Sequence, residues 1–154
     1  MNSVQMTKRF PVQIISFIFL TSSILCFLPK IVHADNGYRK LINCDLHDEA
    51  CTYRINDTDV ILSVTPKPVQ AMKDLVFTAT FPESIESPKS PPYIDLSMPG
   101  MDMGPNRVLM TSVRKNTYEG KGVIVKCPSG HRVWQATVTV PDMGAAEFIF
   151  DVIY

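Results

Sequence analysis

The chain has 154 residues, 45% apolar and 19% charged, and its fifteen basic residues balance fifteen acidic ones. That length fits one globular domain and leaves little room for a second. The balanced charge supplies no net field favouring nucleic acid or an anionic membrane surface, and twelve prolines against seven glycines argue for short strands and many turns rather than long helices.

The N-terminal 34 residues read as a separate object. A short segment carrying Lys8 and Arg9 precedes the uncharged apolar run PVQIISFIFLTSSILCFL. Val32 and Ala34 then place small side chains three and one residues before Asp35. This is the pattern of a secretory signal peptide cut after Ala34. Its eighteen uncharged residues would also just span a bilayer, so an uncleaved anchor is the competing reading. Lipoprotein processing at Cys26 fits poorly, because the bulky Ile24 and Leu25 precede it. Either way residues 35–154 are expected outside the cytoplasm, in the periplasm or cell envelope of a bacterium.

Export conditions the cysteines. Cys26 belongs to the leader, and Cys44, Cys51 and Cys127 remain, an odd number for an oxidising compartment. The spacing in CDLHDEAC lets Cys44 and Cys51 close a local disulfide, leaving Cys127 free.

Residues 35–59 read as a Cys-containing N-terminal arm. From residue 60 onward period-two alternation dominates. Val60, Leu62 and Val64 share one face, as do Leu75, Phe77, Ala79 and Phe81. The proline-rich FPESIESPKSPPY then leads to Ile94, Leu96 and Met98. NRVLMTSV is a further strand, and Val123, Val125 and Cys127 are expected on one face. Trp134, Ala136, Val138 and Val140 follow, then Phe148, Phe150, Val152 and Tyr154. Only PVQAMKDL could form a helical turn. Seven to eight short strands without a covering helix predict an all-β, immunoglobulin-like antiparallel sandwich over residues 60–154, large enough to bury a core without relying on disulfides. The NDT tripeptide at Asn56 matches a glycosylation pattern, a short and weak signal.

No phosphate-binding glycine loop, HExxH or CxxC is present. Ser129, His131 and Asp142 could be drawn as a triad, but no GxSxG context supports it, and no enzymatic activity is expected.

Three features could hold a soft metal. In SMPGMDMGPNRVLM, Met98, Met101 and Met103 follow an MxxMxM spacing around Pro99 and Gly100. Thioethers are soft, neutral ligands suited to Cu(I), and they do not form disulfides. The strand parity of Met98 points it to the core, and Met110 fills a core slot. Met101 and Met103, in the turn, are the better ligand candidates, with packing alone as the other reading. The second feature is CPSGH, where Cys127 and His131 flank a turn in the manner of a copper loop. A blue-copper centre needs a second, upstream His and a Met soon after the first. Here the upstream His is His47 in the arm and the next Met is Met143, which leaves a simpler Cys/His/Met site for Cu(I). The third is Cys44–His47–Cys51, a zinc or copper pattern that competes with the disulfide.

MPGMDMGPNRV, then YEGKG at Tyr118–Gly122, then Gly130 and Trp134 and the following VTVP, resemble the YtkA-like and FixH-like domains over residues 60–154. These are small exported bacterial β-sandwiches often linked by context to copper handling or cytochrome oxidase assembly. The resemblance implies metal-side roles for Met98, Met101 and Met103, and structural ones for Gly120, Gly122 and Trp134. The cysteines and CPSGH fall outside that pattern. Two functions follow as expectations: copper binding through the methionine hairpin, or a metal-free module docking an envelope or membrane protein, with the methionines in the core.

Overall fold

The computed structural model describes residues 37–154; the expected leader, with Cys26, lies outside them. After a 3-10 turn at Tyr38–Leu41 come nine strands: β1 Cys51–Ile55, β2 Thr58–Thr65, β3 Asp74–Thr80, β4 Tyr93–Ser97, β5 Arg107–Leu109, β6 Thr111–Arg114, β7 Thr117–Val123, β8 Val133–Val140 and β9 Gly144–Asp151. They form a five-stranded sheet, β1-β2-β3-β7-β6, and a four-stranded sheet, β5-β4-β8-β9, antiparallel throughout. Three connections cross between the sheets: β3 to β4, β5 to β6 and β7 to β8. The order matches the A-B-E-D and C-F-G sheets of an immunoglobulin-like sandwich, with one strand added at each of two edges.

Alternation produces the core. β2, β3, β4 and β8 bury every second residue, and the sheets enclose Trp134, Phe77, Phe81, Phe148, Phe150 and Leu62. The stretch expected as one strand from Asn106 to Val113 breaks at Met110. β5 belongs to one sheet and β6 to the other, so the chain steps across the sandwich edge there. It passes so close to β7 that a Cβ on Gly120 or Gly122 would lie 2.6 Å from a Val108 methyl, which explains the Gly-x-Gly of YEGKG.

The parity expected after β7 is corrected. Ile124 and Cys127 are buried while Val123 and Val125 are exposed, because the strand ends at Val123 and the following loop resets the faces. PVQAMKDL forms no helical turn. Val69 and Ala71 exchange backbone hydrogen bonds with Ile153, at 3.0 and 2.9 Å, which spends that segment's backbone groups on an isolated bridge to the residues after β9.

The segment expected as an arm, 35–59, contains β1, which pairs with β2. The part before it is also tied down. Cys44 and Cys51 form the expected disulfide, and Leu46 is fully buried. Asn43 satisfies the open edge of β9: its Oδ1 accepts from the Ile149 N–H at 2.8 Å and its Nδ2 donates to the Glu147 carbonyl at 3.1 Å. Asn56 sits in the β1–β2 turn at φ 51°, where its amide donates to the Met143 carbonyl at 3.3 Å.

Candidate functional site

The methionine hairpin is built from turn chemistry. Pro99 and Gly100 occupy the turn centre, with Gly100 at φ 74°. That is the glycine-demanding position of a Pro-Gly turn. The Met101 N–H donates to the Met98 carbonyl at 3.1 Å, and the two methionines form an antiparallel bridge. A second bend follows, where the Asp102 carboxylate accepts from the Gly104 N–H at 3.3 Å. The base of the hairpin is clamped by Arg107 on Asp95, with contacts of 2.7 and 3.0 Å.

The CPSGH turn stands beside it. The Gly130 N–H donates to the Cys127 carbonyl at 3.0 Å, with Gly130 at φ 81°. The Tyr154 hydroxyl accepts from the Cys127 N–H at 3.1 Å and donates to the His131 carbonyl, fixing both ends of the turn. Cys127 is the free cysteine among the described residues and is 5% exposed. Its sulfur lies 2.9 Å from the Ser129 hydroxyl. That contact, with smaller help from the backbone N–H groups of Ser129, His131 and Gly130, holds the thiol below its ordinary pKa against the opposing effect of burial.

The two turns meet at a cavity of ≈ 10 Å³ lined by Tyr38, Met98, Pro99, Met101, His131 and Val133, room for about one water-sized occupant. Three of the residues singled out in the sequence, Met98, Met101 and His131, therefore converge. Met98 is 3% exposed and Met101 40%, so one of the two methionines is buried and the other half-exposed. Met103 and Cys127 do not line the cavity. Met103 packs against the hydrophobic core, and Cys127 is itself a core residue. Met110 is buried as expected. Tyr38 was not legible as a site residue: it lies sixty positions before Met98 in the sequence, with no spacing that links them.

The other constellations come apart. With Cys44 and Cys51 bonded to each other, His47 is left as a strut. Its Nδ1 accepts from the Val69 N–H at 3.1 Å and its Nε2 lies 3.3 Å from Asp151. Ser129 and His131 precede β8 whereas Asp142 follows it, so the full strand, roughly 23 Å long, separates them. Among the described residues no group of three or more His, Cys, Asp or Glu side chains gathers as a metal site. A metal in the cavity would thus depend on thioethers. The lining offers two thioethers, one imidazole and no carboxylate, a neutral donor set that fits Cu(I) and suits hard divalent ions poorly.

No protein-family model, curated protein or solved structure matches the chain.

Proposed function

We propose that this is an exported copper-handling protein that binds one Cu(I) ion through Met98, Met101 and His131. The observation that carries the reading is that these three residues line one small cavity. Neutral soft donors lower the cost of holding a monovalent soft ion away from water without requiring a buried negative charge. The expected signal peptide supports delivery to an oxidising compartment, where thioethers persist as ligands and thiols tend to be oxidised. The resemblance to YtkA-like and FixH-like domains points toward copper handling or oxidase assembly. Competitive titration with a Cu(I) chelator tests the proposal. One equivalent should bind, and Met98→Leu combined with Met101→Leu should abolish it; retention by the double variant would overturn the assignment.

A second reading, a metal-free interaction module, draws on a different surface. Leu109 is 74% and Val113 52% exposed, next to the open edge of β6, over a groove of ≈ 340 Å³ that Val76 also lines. An envelope protein adding a strand at that edge would use it. Co-purification of a partner that is lost on Leu109→Glu, in a protein that retains no copper, would favour this reading.

A further inference from the structure

The cavity has one lining residue from outside the sandwich strands and their connecting loops. Tyr38 comes from the 3-10 turn that precedes β1, outside the stretch that carries the family resemblance. Its ring stands edge-to-face against His131, with 5.2 Å between centroids and 78° between planes. It also covers the methionine turn: a Cβ added at Gly100 would lie 3.4 Å from its hydroxyl. The chain holds Tyr38 there through three anchors a few residues later. These are the Asn43 bonds to β9, the Cys44–Cys51 disulfide and the fully buried Leu46.

We propose that Tyr38 is the selectivity wall of this site, an aromatic cover that limits water on the Met98 and His131 side of the cavity, with Met101 left at the solvent face, and so favours soft monovalent cations. The assignment rests on the metal-binding reading above. Its physical basis is the dehydration penalty. The cost of taking an ion out of water rises with the square of its charge, so a wall that removes water penalises a divalent ion far more than a monovalent one. The lining has no carboxylate to offset that penalty for a divalent ion. An aromatic ring beside a desolvated cation also contributes attraction of its own.

Ag(I), a redox-stable soft monovalent ion, is the probe, with Zn(II) as the divalent comparison. All proteins carry Cys26→Ala and Cys127→Ala, which removes thiol binding. The parent should bind one Ag(I). Tyr38→Phe, which keeps the ring, should match it. Tyr38→Leu should bind Ag(I) about tenfold more weakly and lose Ag(I)-over-Zn(II) preference. Its thermal midpoint should stay close to the parent's, because the three anchors remain. Tyr38→Trp places an indole at the cavity whose emission should change on Ag(I) addition. Parent-like affinity and preference in Tyr38→Leu would overturn the wall and leave the metal site standing, as would equal losses in Tyr38→Phe and Tyr38→Leu. Failure of the parent to bind Ag(I) would overturn the metal site and the wall with it.

Discussion

Met98 and Met101 face each other across the Pro99–Gly100 turn, joined by a hydrogen bond of 3.1 Å from the Met101 N–H to the Met98 carbonyl. The turn thereby sets one buried and one half-exposed thioether at the rim of a single cavity. Met103, two residues on, packs elsewhere. Met101→Leu is therefore expected to weaken Cu(I) binding by tenfold or more, roughly one ligand's worth of free energy, while Met103→Leu leaves it within about twofold. Chelator competition on the single variants checks this, and equal losses would contradict the placement.

Tyr154 positions the histidine side of the cavity. Its hydroxyl bridges the Cys127 N–H and the His131 carbonyl. Tyr154→Phe keeps the ring and removes both bonds, at an expected cost of about 1–2 kcal/mol in stability. Cu(I) affinity should fall several-fold through His131 while the methionine turn stays intact. Denaturant melts and chelator competition measure the two effects separately.

Cys127 should titrate below an ordinary thiol, chiefly because of Ser129. A lowered folded pKa means this interaction stabilises the fold above the unfolded thiol's pKa, and the contribution disappears as pH falls through the folded value. Ser129→Ala should therefore move the thiolate absorbance transition to higher pH, measured with Cys26→Ala so that one thiol remains. An unmoved transition would show that the contact does not set the thiol's pKa.

Among the described residues Cys127 is the free cysteine beside the Cys44–Cys51 disulfide, and cleavage behind Ala34 would remove Cys26. Thiol counting under denaturing, non-reducing conditions on protein recovered from its export compartment should find one. Two would mean the leader is retained.

Asn116 locks the proline-rich crossover to the β6–β7 turn. It is 1% exposed, sits at φ 55°, donates to the Pro82 and Ile85 carbonyls at 2.8 and 3.1 Å, and accepts from Ser87. Asn116→Ala removes three part-buried hydrogen bonds and places Ala in a left-handed conformation, for an expected loss of about 2–4 kcal/mol in chemical denaturation, with Cu(I) stoichiometry unchanged in the folded fraction.

The fold was largely legible because alternation is a local signal: Val60 through Val64, Leu75 through Phe81 and Trp134 through Val140 carry their inward faces in the sequence. The edges were not. β1 has one buried residue in five and β6 has none, so neither shows a pattern to read, and the step at Met110 depends on close approach to Gly120 and Gly122. At the site, turn residues disclosed the methionine hairpin and CPSGH separately. Their meeting depends on strand pairing between β4 and β8. Tyr38 reaches them only through the docking of its segment on β9, a long-range event with no local trace.

X-ray absorption at the copper edge of Cu(I)-loaded protein tests the central claim most directly. Two thioether sulfurs and one imidazole nitrogen around the metal are predicted, with one sulfur lost in Met101→Leu and none in Met103→Leu or Cys127→Ala. A shell of nitrogen and oxygen alone, or a sulfur that disappears with Cys127, would contradict it.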